Sequence, residues 1–184
     1  MVFIKKESLF SFLILSSYII LCFYIYNNTN IDSNKKTSLV KNQVLTAIPR
    51  EDNNDIIMYL EINKLNLLQP IYYMNHEKNN VEENVTILEG SILPIEENNI
   101  LFLAAHSGEG SIAYFNHLDK LVIGDQVNIY MKNHTYQYIV NDFWEEKKNG
   151  FIHVNKNKKK QLILTTCSTR NKEKQLVVSA IEKE

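Results

Sequence analysis

Short apolar segments separated by polar turns make up most of the chain after residue 47. They are rich in β-branched and aromatic residues, which is typical of β-strands. The clearest is TYQYIVNDFW, in which Tyr136, Tyr138 and Val140 fall on one side and mostly polar residues on the other. The pattern predicts eight strands, over residues 56–62, 69–73, 84–88, 100–105, 126–131, 135–144, 161–166 and 175–181.

A different period appears between the fourth and fifth predicted strands. Ile112, Phe115, Leu118 and Leu121 recur every three residues, which predicts a short helix, and Gly124-Asp125 then predicts a turn. Eight short strands with one or two small helices indicate a mainly β protein. We therefore expect a closed or nearly closed β-barrel.

The N-terminal part of the chain has the pattern of a membrane segment. Ser8 to Tyr26 contains no charge and no proline, and as a helix it would be about 28 Å long, close to the roughly 30 Å hydrocarbon core of a bilayer. Lys5 and Lys6 precede it, and the uncharged NNTN follows it. This asymmetry predicts a single-pass cell-membrane protein with a cytoplasmic N-terminus and an external domain.

A cleaved signal peptide is the alternative interpretation of this segment. Its apolar region would be shorter and followed by small residues, whereas this one ends in FYIYNN, so an uncleaved anchor is favoured. The polar stretch after the anchor indicates a linker. The predicted organisation is a cytoplasmic N-terminus at 1–7, a transmembrane anchor at 8–26, an extracytoplasmic linker at 27–46 and a catalytic domain at 47–184.

Charge and cysteine content narrow the function classes. The net charge is −1, so nothing global indicates nucleic-acid binding. The chain has two cysteines, and Cys22 falls inside the predicted membrane span. A disulfide between Cys22 and Cys167 is therefore excluded, and Cys167 is predicted to be a free thiol in the external domain.

Cys167 ends the apolar run QLILTT and is followed by the polar loop STRNKEK. It is either a small buried hydrophobe or a nucleophile. A nucleophile needs a base. His106 follows the apolar run ILFLAA and precedes SGEG, so it is predicted at the end of a strand and the start of a loop, as Cys167 is. The other four histidines are expected to be solvated: His76, His117, His134 and His153.

Two further groups of residues receive a structural interpretation. The acidic pairs Glu82-Glu83 and Glu96-Glu97 do not supply in one place the 6–8 oxygens that calcium requires, so no metal and no cofactor is predicted. Trp144 is expected in the barrel core or on a strand surface rather than in a substrate site.

Four segments of the domain carry a family resemblance. They are NVTILEGSILP, LAAHSG, AYFNHLDKLVIGDQVNIY and LILTTC, the last with Ile163 where a threonine is usual. In this order, and behind a membrane anchor, they make residues 56–182 resemble the sortases, membrane-anchored cysteine transpeptidases of Gram-positive bacteria.

The resemblance implies the eight-stranded sortase β-barrel and a specific chemistry. Cys167 would attack a Thr-Gly-like bond in an LPxTG-like sorting signal of a secreted protein and form a thioester. His106 would protonate the leaving amine and then deprotonate the amine of a peptidoglycan precursor or a pilin. A relative that releases its acyl group to water and a catalytically silent binding module are the alternatives, and the intact Cys and His argue against the silent module.

The family's arginine is the point at which this chain departs from the pattern. In the family it commonly precedes the last apolar strand, where this chain has Lys174-Gln175 before LVVSA. Arg170 has the bidentate guanidinium but lies in the connecting loop, whereas Lys174 lies at the strand start but offers a point charge. We predict Arg170 in this role, with Lys174 as the competitor.

Overall fold

Eight β-strands form one sheet in the structure, a computed structural model that describes residues 55–154 and 160–183. Two single-turn 3₁₀ helices accompany them, at Asn63–Leu65 and Leu118–Lys120. The strands are β1 Ile56–Ile62, β2 Leu67–Tyr72, β3 Thr86–Ile87, β4 Ile100–Ala104, β5 Gln126–Met131, β6 His134–Lys147, β7 Gln161–Cys167 and β8 Lys174–Glu182.

The strand order is β2-β1-β5-β6-β8-β7-β4-β3. All neighbours are antiparallel except β4 and β7, which run parallel. Side chains join the two edges: Asn84, just before β3, donates to the Pro70 carbonyl of β2 at 3.1 Å, and Gln69 donates to Asn84 Oδ1 at 2.7 Å. The result is the predicted mainly β, nearly closed barrel.

The core is built from the side chains that alternate onto the inner face of each strand. In β1 these are Met58, Leu60 and Ile62, all fully buried. The segment after β4 adds the buried side chains of Phe115, Leu118 and Leu121, and β7 is buried along its whole length up to Cys167. An apolar strand that ends on an exposed residue presents that residue at the barrel rim.

The predicted helix between β4 and β5 is much shorter than an α-helix. A repeat of three residues matches the 3₁₀ helix, with three residues per turn, better than the α-helix. Accordingly, Leu118–Lys120 forms one 3₁₀ turn, and Leu121 donates its N–H to the Leu118 carbonyl at 3.3 Å. The expected helix is thus a single turn whose apolar residues anchor a loop to the core.

β6 differs from its predicted limits and contains an irregularity. It extends to both sides of 135–144, and its pairing with β8 shifts register between Val140 and Asp142. A bulge of this kind inserts one residue and exchanges the two faces of the strand beyond it. Phe143 therefore packs against the core although the even-numbered Tyr138 and Val140 precede it.

The predicted membrane span, residues 8–26, lies outside the described residues. Within residues 55–154 and 160–183, no helix has the length and apolar character needed to cross a bilayer.

The edge-joining bonds of Asn84 lead to a stability prediction. Asn84→Ala leaves Gln69 and Pro70 without this partner in a half-buried site, so we expect the free energy of unfolding to fall by about 1–3 kcal/mol. The exposed Asn75 is the control, and Asn75→Ala should change it by less than about 0.5 kcal/mol. Urea denaturation of the full-length variants measures both values, and equal midpoints for the two variants would contradict the closure described here.

Candidate active site

The C-terminal ends of β4 and β7 meet at one rim of the barrel because these two strands are parallel. Ala104 is level with Thr165 in the ladder. Beyond it, Thr166 donates its hydroxyl to the Ala105 carbonyl at 2.8 Å, in the same register. His106 and Cys167 are the next residues on the two strands. The two residues that the sequence singled out are therefore neighbours at one edge of the sheet.

Cys167 is exposed, although the six residues before it are buried. Its carbonyl accepts a hydrogen bond from Ser107 Oγ at 2.8 Å, which ties the loop after β4 to the end of β7. The exposure excludes a role as a small buried core residue. The thiol is accessible and held on a rigid strand end, as a nucleophile requires.

His106 is held at its backbone and at its ring. Its carbonyl accepts the Phe115 N–H at 3.0 Å, and its Nε2 lies 3.2 Å from Glu82 Oε1. The imidazole is one-third exposed. Glu82 belongs to the acidic pair Glu82-Glu83, for which the sequence predicts no metal, and nothing in the sequence indicates its position beside the histidine.

A cleft of about 310 Å³ opens beside Cys167. Cys167 and Arg170 both line it, whereas His106 and Lys174 are not among its lining residues in the described part of the chain. The cleft is lined by Ser107, Phe115, Asn116, Asp119, Leu121, Phe143, Trp144, Glu145, Thr166, Cys167, Ser168, Thr169, Arg170 and Leu176.

Ser168 folds the loop that carries Arg170. Its hydroxyl oxygen accepts the backbone N–H groups of Arg170 at 3.1 Å and Asn171 at 3.2 Å, and the hydroxyl donates to Glu145 Oε1 at 2.7 Å. The Ser168 N–H also donates to the carbonyl of Lys174, the first residue of β8. The loop is thereby turned back toward β7, which brings Arg170 into the cleft that Cys167 lines.

The geometry of the site agrees with a match to a known protein family. The model of the sortase domain matches residues 60–183. The chain belongs to the sortase family. Sortases are cysteine transpeptidases, and an exposed cysteine beside a histidine-bearing strand end is the arrangement that such chemistry needs.

Solved sortase structures share this fold. Sortase C1 of Streptococcus agalactiae is 28% identical over 73% of this chain and 71% of that chain, with a TM-score of 0.63. Sortase C1 of Streptococcus suis is 27% identical over 71% and 74%, with a TM-score of 0.62. Sortase A of Corynebacterium diphtheriae, at 22% identity, 70% and 61% coverage and a TM-score of 0.60, shows likeness of fold alone. No curated protein sequence gives a significant match.

The register between β7 and β8 decides which residue of this sortase lies opposite Cys167. Cys167 pairs with Gln175, so Gln175, and not Lys174, stands directly opposite the thiol. Its amide donates to Glu146 Oε1 at 3.3 Å and to the Phe151 carbonyl at 3.0 Å. A neutral amide cannot replace a cation, so Gln175 does not supply the positive charge that the family's arginine has.

Other residues of the sortase also differ from their expected environments. Trp144 lines the cleft, although it was expected in the core or on a strand surface. His76, which was expected to be solvated, has only 20% of its side chain exposed and lies 3.5 Å from Asp55. His153 is exposed as expected, and its Nδ1 lies 2.8 Å from Glu146. Within the described ranges, no group of three His, Cys, Asp or Glu side chains comes together as a metal site would require.

Proposed function

We propose that this sortase cleaves a C-terminal sorting signal of secreted proteins through a thioester at Cys167 and transfers the acyl group to an amine. The observation that carries the proposal is the exposed Cys167, which shares a cleft with Arg170 and ends the strand that runs parallel to β4, which itself ends two residues before His106. Membership of the sortase family supports an LPxTG-like signal as the proposed substrate class.

In the first half of the reaction, the Cys167 thiolate attacks the carbonyl carbon of the scissile peptide bond. Negative charge develops on the carbonyl oxygen, and the Arg170 guanidinium stabilises it. The C–N bond then breaks as His106 gives a proton to the leaving amine. The product is a thioester between Cys167 and the N-terminal part of the substrate.

In the second half, an acceptor amine attacks the thioester carbonyl. His106 takes a proton from that amine, the C–S bond breaks and the Cys167 thiolate is restored. The proposed acceptor is a peptidoglycan precursor or a pilin amine. Sortase C of Streptococcus pneumoniae, which shares the fold at 23% identity, has a pilin substrate specificity, and this supports a pilin as one candidate acceptor.

The proposal includes a membrane location. The apolar span Ser8–Tyr26, with Lys5 and Lys6 before it, anchors the chain, with the N-terminus in the cytoplasm and the catalytic domain outside. An external domain meets secreted proteins where their sorting signals are available.

The thiol mechanism is tested by substitution of the nucleophile and the base. Cys167→Ala should abolish cleavage of an LPxTG-like peptide, and His106→Asn should lower the rate by about two to four orders of magnitude. The control is the exposed His117, and His117→Ala should have a mild effect. Residual cleavage by Cys167→Ala would refute the mechanism.

Hydroxylamine distinguishes a transpeptidase from a hydrolase. In a transpeptidase, added hydroxylamine should increase the rate at which the acyl group leaves Cys167, because the thioester is transferred to an amine. In a hydrolase, that rate should be the same with and without hydroxylamine, because water takes the acyl group.

The cation is tested by comparing the two candidates. Arg170 lines the cleft, so Arg170→Ala should lower the rate by about 10²–10³, the usual effect of removing one oxyanion donor. Lys174→Ala should be close to wild type because Lys174 is not among the residues that line the cleft in the described chain. An inactive Lys174→Ala beside a near-normal Arg170→Ala would assign the role to Lys174, and Lys174→Arg should then raise activity.

The topology is tested on whole cells from which the wall has been removed. Protease added outside should digest the catalytic domain and leave a cytoplasmic marker protein intact, because the domain is proposed to lie outside the membrane. A domain that resists digestion until the cells are lysed would reverse the proposed orientation.

A further inference from the structure

Glu82 contacts one particular nitrogen of His106. Glu82 Oε1 lies 3.2 Å from Nε2, which makes the two side chains an ion pair whenever the imidazole is protonated. An ionised carboxylate has no proton to donate and repels the lone pair of an unprotonated nitrogen, so a neutral imidazole in this contact favours a proton on Nε2. Nδ1 is then the nitrogen that remains for proton exchange with substrate.

The turn that carries Glu82 is fixed by its own hydrogen bonds. The Asn80 carbonyl accepts the N–H groups of Glu83 at 3.0 Å and Asn84 at 2.8 Å. The Asn80 side-chain oxygen accepts the Glu82 N–H at 3.0 Å. The backbone under the Glu82 carboxylate is therefore held in one conformation.

This turn is also attached to the barrel on both sides. Before it, Asn79 exchanges two hydrogen bonds with Ile87 of β3, at 2.7 Å and 3.1 Å. After it, the buried Asn84 bonds Gln69 and Pro70 of β2. The exposed Glu82 carboxylate thus stands on a segment whose position is set by both edge strands of the sheet.

The contribution of this pair to folding is expected to be small. The Glu82 side chain is 68% exposed, and exposed ion pairs stabilise proteins little. The turn nevertheless holds the Glu82 carboxylate against His106, the proposed acid–base group. Its main effect is therefore expected on the orientation of the imidazole ring.

We propose that Glu82 is a positioning residue, which fixes the ring orientation and the tautomer of His106 for proton transfer through Nδ1. The inference rests on the proposed function, in which His106 serves as acid and base. Carboxylate–imidazole pairs act in this way in other nucleophilic enzymes, in which the third group orients the base.

Proton transfer through Nδ1 leaves the protons of the full reaction balanced. Protonated His106 gives its Nδ1 proton to the leaving amine as the scissile C–N bond breaks, and it keeps the Nε2 proton that faces Glu82. When the acceptor amine attacks the thioester, Nδ1 takes one proton from that amine, and the starting state returns. Glu82 neither gives nor takes a proton in this cycle, so its part is orientation and not proton transfer.

Substitutions at Glu82 in the full-length protein separate its charge from the bulk of its side chain. Glu82→Ala removes the whole carboxylate, and we expect kcat to fall by up to about 100-fold, the effect of a misplaced catalytic group. Glu82→Gln keeps a neutral group of the same shape and should lose less. KM should change little in both, because Glu82 is not among the residues lining the cleft in the described chain. The matched controls, Glu83→Ala and Glu83→Gln on the same turn, should keep wild-type kcat.

A second measurement does not depend on activity. The ¹⁵N chemical shifts of His106, recorded at a pH at which the imidazoles are neutral, report which ring nitrogen carries the proton. Wild type and both Glu83 variants should show the Nε2–H tautomer, and Glu82→Ala should show a mixture. An unchanged tautomer in Glu82→Ala would overturn the inference whatever the activity.

A double variant distinguishes failure of this inference from failure of the proposed function. Glu82→Ala added to His106→Asn should cause no further loss, because Glu82 acts through the imidazole. An additional loss, or a normal kcat for Glu82→Ala while His106→Asn is impaired, would overturn the positioning role and leave the proposed function standing. Full activity of His106→Asn alone would instead overturn the proposed function.

Discussion

The parallel pairing of β4 with β7 is the constraint on which the site depends. Parallel strands end at the same edge of a sheet, so the residues that follow Ala104 and Thr165 emerge side by side. If the same five-residue segment paired antiparallel, its far end would lie about 16 Å from the end of β7, beyond the reach of direct proton transfer. The bonds from Thr166 to Ala105 and from Ser107 to Cys167 carry this register past the last ladder pair.

The cation is positioned by different means from the thiol and the imidazole. Cys167 and His106 lie at strand ends, where a packed sheet holds the backbone, and such sites are more precise than loops. Arg170 lies in the β7–β8 loop, and the position opposite Cys167 on β8 is occupied by the neutral Gln175. Ser168 compensates with bonds to two loop N–H groups and to Glu145 of β6. Ser168 therefore holds the loop that carries the guanidinium of the proposed oxyanion site.

Features that follow from local sequence were predictable. The bounds of β1 and β5 match the predicted 56–62 and 126–131, because continuous apolar and β-branched runs end there in turns. The same local logic found both strand-end residues, Cys167 and His106. The order of the motifs predicted that the chain is a sortase, and the match of the sortase family model to residues 60–183 confirms this.

Features that depend on tertiary register were not predictable. Gln175 could be placed opposite Cys167 only once the lengths of the β7–β8 loop and both strands were known. The bulge after Val140, which turns Phe143 inward, leaves the alternation of TYQYIV intact and so gives no local signal.

The contact between Glu82 and His106 shows why the spatial arrangement of a site is not predictable from the sequence, even when each of its residues can be identified there. Glu82 lies in a polar turn, and a polar turn by itself indicates solvation. Its approach to the imidazole requires Asn84 to join the turn to β2 and Asn79 to join it to β3, while β3 pairs with β4, which ends two residues before His106. Three successive contacts of different kinds are needed, and none has a spacing that repeats along the chain. The asparagines that make these bonds resemble ordinary loop composition in an Asn-rich sequence, although in the structure they determine where the carboxylate stands.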